Sequence, residues 1–172
     1  GPARRELDFI VPRNKLRTNR GFETVGQAPA DGPLAGARVA VTEMSLDRNG
    51  DIFAAVLEGP RKGIFRVARL GGFDVTDGAF LPDGDLVLLE RSFAMLRGVS
   101  MRMRRISVET IRPGARVDGE VLIEADMAYQ IDNMEGLDIW TRGDGATMVS
   151  LVSDDNQSFL QRTLYLEFRL GD

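Results

Sequence analysis

The chain has 172 residues and a mass of 18.9 kDa, with 43% hydrophobic and 28% charged residues, a balance that suits one folded domain and excludes a disordered segment. A net charge of −4 and an isoelectric point near 5.0 give no overall attraction to nucleic acid or to an anionic membrane surface. Cysteine and histidine are both absent, which removes disulfides, thiol nucleophiles, histidine bases, Ser-His-Asp triads and Cys/His zinc sites.

Catalytic machinery must therefore come from Asp, Glu, Arg, Lys, Tyr or hydroxyls, and a metal would take oxygen ligands, which points to Ca²⁺ or Mg²⁺. No run approaches the roughly 18 apolar residues of a membrane span. The start does not resemble a signal peptide, and opening on Gly1-Pro2 without an initiator Met leads us to expect a processed or cloned piece.

Short alternating or apolar runs broken by Gly, Pro, Asp and Asn predict strands throughout. In chain order they fall near Leu7–Val11, Glu23–Ala28, Arg38–Glu43, Ile52–Glu58, Gly63–Leu70, Val75–Leu81, Asp85–Glu90, Ser100–Ser107, Glu120–Asp126, Glu135–Thr141, Ala146–Asp154 and Thr163–Leu170. Asp31-Gly32, Asn49-Gly50, Asp83-Gly84, Asp118-Gly119 and Asp144-Gly145 sit between them and suit tight hairpins, so an antiparallel meander follows. Asp47-Arg48-Asn49-Gly50-Asp51 has its glycine in the wrong place for an EF-hand and reads as a hairpin turn. Met101-Arg102-Met103-Arg104-Arg105-Ile106 alternates as a strand with one solvated face; it lacks the interleaved aromatics of a nucleic-acid surface. No Gly-x-Ser-x-Gly elbow is present.

The units repeat. The segments starting at Phe22-Glu23-Thr24-Val25, Val75-Thr76-Asp77-Gly78 and Met134-Glu135-Gly136-Leu137 each put an acid near the start of an apolar strand, followed by an Asp-Gly turn; 54 residues separate Glu23 from Asp77 and 58 separate Asp77 from Glu135. Four strands per unit and no helices favour an all-β propeller over a sandwich. The expectation is a propeller fragment of about three four-stranded antiparallel blades over 20–172, with an incoming strand and linker at 1–19. Three blades cannot close a ring of the usual four to eight, so this is half of something: the C-terminal half, to be completed by a missing N-terminal half or by a second copy.

In each unit the strand after the turn also ends in an acid, at Glu43, Glu90 and Asp154. Hairpin geometry brings Glu23 towards Glu43, Asp77 towards Glu90 and Glu135 towards Asp154, so all three pairs gather at one mouth. That rim is either a calcium-type or substrate-binding site, or a set of solvated strand ends. Asp154-Asp155-Asn156 with Gln161-Arg162 offers oxygen ligands and a guanidinium, or an ordinary capped loop. Arg91 and Arg97 either hold a phosphate or carboxylate or neutralise the acids.

The run from Asp74-Val75-Thr76-Asp77-Gly78 through Pro82-Asp83-Gly84 to Leu89-Glu90-Arg91, with Asp132-Asn133-Met134-Glu135-Gly136-Leu137, Ser153-Asp154-Asp155-Asn156 and Leu160-Gln161-Arg162-Thr163-Leu164, resembles the phytase-like family described as "esterase-like activity of phytase". The likeness spans roughly Arg20 to Leu170 and implies the C-terminal half of a bacterial propeller exported to the periplasm or secreted. Its motif acids would be Glu23, Glu135, Asp154 and Asp155, with Arg91 and Arg162 beside them; Glu23-Thr24-Val25 departs from the family's Glu-Gly-Leu. The function expected is hydrolysis of a phosphorylated or esterified small molecule. Glu135, Asp154 and Arg162 are the expected catalytic residues, and Arg91, Arg97 and Asn156 the substrate contacts. Glu23, Glu43, Asp77, Glu90, Glu135, Asp154 and Asp155 are the expected Ca²⁺ ligands. The alternative is a non-catalytic ligand-binding or scaffolding propeller. No nucleic-acid partner and no membrane span are expected.

Overall fold

A computed structural model describes residues 21–95, 98–126, 129, 131, 133–153 and 163–171. The strands are β1 (Phe22–Gln27), β2 (Arg38–Leu46), β3 (Ile52–Val56), β4 (Gly63–Val67), β5 (Asp74–Phe80), β6 (Leu86–Ala94), β7 (Gly98–Ile106), β8 (Arg116–Val117), β9 (Glu120–Asp126), β10 (Met134–Thr141), β11 (Thr147–Ser153) and β12 (Tyr165–Arg169), and a 3₁₀ turn spans Val108–Thr110. The expected strand near Leu7–Val11 lies outside the described residues. The remaining expected strands match elements of the structure.

Three sheets follow one another, in the orders β1-β2-β3-β4-β8, β5-β6-β7-β9 and β10-β11-β12, and every pairing is antiparallel except β4 with β8. The protein is all-β, and among the described residues no sheet closes on itself. Sheet two is central, and its sequence explains why. Successive side chains of a strand point to opposite faces, so Leu86 and Leu88 enter the core shared with sheet one while Val87 and Leu89 enter the core shared with sheet three. All four are at most 1% exposed. An uninterrupted apolar run is what a strand covered on both sides requires.

The first strand of each sheet stands at an edge, and these strands are neighbours: β1 lies against β5, and β5 against β10. Thr24 Oγ1 donates to the Gly78 carbonyl (2.8 Å), and Thr76 Oγ1 to that of Met134 (3.3 Å). These bonds span 54 and 58 residues, the same intervals as the sequence repeat.

The turns behave as their chemistry dictates. At Asp83-Gly84, Gly84 takes φ +97° and donates to the Leu81 carbonyl (2.9 Å), while Asp83 Oδ1 accepts from Asp85 N (3.0 Å). Asp47 Oδ1 likewise accepts from Asn49 N and Asp51 N, so this stretch is the β2–β3 turn. Asp118-Gly119 corrects the hairpin expectation: it links β8 to β9 in different sheets, and Gly119 is needed for space, since a Cβ there would meet the Arg105 carbonyl oxygen at 2.7 Å. The 101–106 strand is corrected too. Arg102 and Arg104 are 5% and 0% exposed, so the face read as solvated is buried between sheets one and two.

Candidate functional site

Each first strand carries a β-bulge at the same place: the register shifts between Phe22 and Thr24, between Val75 and Asp77, and between Met134 and Gly136. The extra residue is Glu23, Thr76 or Glu135. Bulges re-aim side chains and recur beside functional sites. Phe22, Val75 and Met134 pair with Thr42, Glu90 and Ser153 on the second strands. The true equivalents are thus Thr42, Glu90 and Ser153, and one residue further on Glu43, Arg91 and Asp154.

This places Glu90 away from the rim. It is one residue out of step with Glu43, and a one-residue step on a strand turns the side chain to the opposite face. Glu90 is 1% exposed and receives Arg102 Nε (2.8 Å) and Arg104 Nη2, with Arg104 Nη1 reaching Asp118 (3.1 Å). Arg102 also lies over the Phe73 ring, 4.1 Å from its centre. Asp77 is equivalent to Thr24 rather than to Glu23. Its Oδ1 accepts from Gly78 N and its Oδ2 from Leu137 N, both at 2.8 Å, so it tethers β10 to β5.

Arg91 and Glu135 form an ion pair, and Glu23 lies near enough to feel the charges of Glu43, Arg91, Glu135 and Asp77. The carboxyl of Glu23 is held above its ordinary pKa by burial and by the charges of Glu43, Glu135 and Asp77, with Arg91 opposing the shift. Arg91 Nη1 donates to Glu135 Oε1 (3.1 Å) and to Asn133 Oδ1, and Asn133 Nδ2 donates to Glu135 Oε1. The sequence reading gave Asn133 no role. It stands just before β10, and no spacing in the sequence marked it. Arg97, Asp154, Asp155, Asn156 and Arg162 lie outside the described residues.

Chemically the rim offers a carboxyl whose pKa is raised beside other carboxylates, with one guanidinium that can face developing negative charge. Among the described residues no group of three or more acids is arranged to hold a metal. Calcium therefore gains no ligand set from them. A cavity of about 360 Å³ begins at Asp77 and Leu137 and runs past Trp140, Ser150 and Tyr165, adjoining the rim. A larger one, about 470 Å³, opens among the turns at Asp83 and Asp144. The smaller is the more relevant, because Arg105 in the larger one is already paired with Asp83 and Asp85.

Three antiparallel sheets whose neighbouring first strands gather acids around an arginine define an all-β protein with a carboxylate-rich site and, among the described residues, no helix long and apolar enough to cross a membrane. The chain belongs to the family described as "Phytase-like: Esterase-like activity of phytase", whose model matches residues 2–157. No curated protein and no solved structure matches it.

Proposed function

We propose that this protein hydrolyses an ester of a small molecule, phosphorylated or carboxylic, at the rim formed by Glu23, Glu43, Asp77, Glu135 and Arg91. The observation that carries the reading is the Arg91–Glu135 ion pair beside Glu23, whose carboxyl feels acids of all three sheets, in a chain whose family is described by esterase-like activity. In this reading a rim carboxylate draws a proton from water, the Glu23 carboxyl supplies one to the leaving oxygen, and Arg91 faces the oxyanion. The three sheets act as blades of a propeller, completed by an N-terminal half or a second copy, in a protein exported to the periplasm or secreted.

Calcium belongs to the same proposal through charge. A phosphate brought among the carboxylates of Glu43, Asp77 and Glu135 with one arginine is repelled unless a cation accompanies it. Assaying the full-length protein against p-nitrophenyl phosphate and p-nitrophenyl acetate, with added Ca²⁺ and with EDTA, tests all of this. Turnover of either ester, lost in Glu135→Gln, is the expected result; no turnover of both overturns the reading. Chelator-insensitive activity with no calcium uptake overturns the calcium part alone. Asp77, with both oxygens on backbone N–H groups, favours the second reading, a ligand-binding or scaffolding propeller whose acids are structural. There Glu135→Gln would change stability and leave ligand binding intact.

A further inference from the structure

The hydrogen bonds at Arg91 and Glu135 are one-sided. Among the described residues, every side-chain bond given by Arg91 leaves from Nη1 and every one taken by Glu135 arrives at Oε1. Asn133 occupies that inner side. It is 3% exposed, whereas the Arg91 and Glu135 side chains are 37% and 38% exposed. A buried side chain thus closes a three-membered ring with two half-exposed ones.

Only an amide fits this place. Arginine donates and never accepts, and an ionised carboxylate accepts and never donates, so the residue between them must accept on one side and donate on the other. This also fixes which way the Asn133 amide points. Aspartate there would repel Glu135, and leucine would serve neither neighbour.

We propose that Asn133 is a positioning residue: it fixes Arg91 and Glu135 through one atom of each, and so presents the other edge of the guanidinium and Glu135 Oε2 to the substrate. The inference rests on the ester-hydrolase reading above. Asn133 touches no reacting atom; it acts through Arg91, whose charge counts where an oxyanion forms. Loss of such an interaction lowers kcat more than it raises KM.

The test is a double-mutant cycle on the full-length protein, using whichever of p-nitrophenyl acetate and p-nitrophenyl phosphate the wild type turns over. Asn133→Leu is expected to lower kcat at least tenfold with KM changed less than threefold. In an Arg91→Met background the same change should cost less than twofold, because the group it positions is gone. Asn133→Asp, nearly the same shape, keeps the experiment decisive where Asn133→Leu folds poorly, and should lose activity to a similar extent while melting cooperatively. Equal losses from Asn133→Leu in both backgrounds, or wild-type kcat in Asn133→Asp, would overturn the inference while leaving the site reading intact. A wild type that turns over neither ester overturns the site reading, and this inference falls with it.

Discussion

The two ends of the strands carry carboxyl groups perturbed in opposite senses, and this gives a pH dependence with a definite sign. Glu23 is raised above 4.5 in the folded protein, chiefly by burial and then by Glu43. The native state therefore binds its proton more tightly than the unfolded chain. The stability so contributed is fully present below 4.5 and is lost as pH rises through the folded value. Glu23→Gln should consequently raise the melting temperature at pH 7 and change it little at pH 4; an equal effect at both pH values would show that the rim charges do not oppose one another. Asp144 runs the other way. Arg142 and the Ala146 N–H hold it down from 3.8 to about 2, so its contribution is present above 3.8 and is lost as pH falls towards 2. Asp144→Asn should lower the melting temperature at pH 5 and change it little near pH 2, flattening the acid limb of the stability profile, measured by thermal melts between pH 2 and pH 5. The acids themselves were legible in the sequence. Which of them share a site was not: Glu23 and Glu135 are the bulged residues of their strands, whereas Asp77 follows the bulged Thr76 and Glu90 stands where sheet one has Thr42, and no composition or spacing announces a bulge.

At the scale of elements, β6 and β7 show both what alternation reveals and what it hides. Leu86-Val87-Leu88-Leu89 reads as a buried strand and is one. Met101–Ile106 alternates just as clearly, but its arginines suggest water on one face when in fact Arg102 and Arg104 meet Glu90 inside. Residue type gives a bias towards the surface, and a buried partner 12 or 14 positions away overrides it. The two-residue strand β8 also escaped notice, since a pairing so short has no period of its own. The Glu90 cluster yields a stability prediction. Glu90→Gln leaves two buried guanidinium groups without their shared carboxylate, and breaking a buried pair from one side costs about 3–5 kcal/mol. Urea titration followed by circular dichroism should show that loss; a change below about 1 kcal/mol would mean that Asp118 or water compensates. Gly78 gives a second. A Cβ there would sit 2.9 Å from Leu88 Cδ2, 3.1 Å from the Val87 carbonyl oxygen and 3.2 Å from Thr24 Cγ2, so Gly78→Ala must displace the Leu88 side chain and crowd β6 and Thr24. Overpacking of this kind costs about 1–3 kcal/mol, readable in the same titration.

For the whole molecule, the proposed ring makes a claim about the outward face of sheet three. One face of that sheet packs on sheet two through Leu137, Val149 and Leu151, and the register puts Asp138, Trp140, Ser150, Val152 and Tyr165 on the other. Trp140, Val152 and Tyr165 there are 36%, 43% and 65% exposed. Trp140 Nε1 donates to Ser150 Oγ (2.9 Å), which lies 2.9 Å from the Tyr165 hydroxyl, so the two rings flank an ordered polar link. Sheet two buries both faces, and a blade in a ring must do the same. The 172-residue chain on its own should therefore associate with a second copy through this face. Light scattering should give a particle of twice 18.9 kDa at micromolar concentration. Trp140 is the one tryptophan in the sequence, so its emission reports this face directly: dilution should shift it to the red as the dimer parts. Trp140→Glu, which removes a large aromatic and adds charge to an already acidic face, should weaken association roughly 30-fold, equivalent to the ~2 kcal/mol of an interface anchor. An 18.9 kDa particle whose tryptophan emission ignores dilution would count against the second copy. With ester turnover present, that result would leave the three sheets sufficient for the site, and the ring would lose its strongest argument.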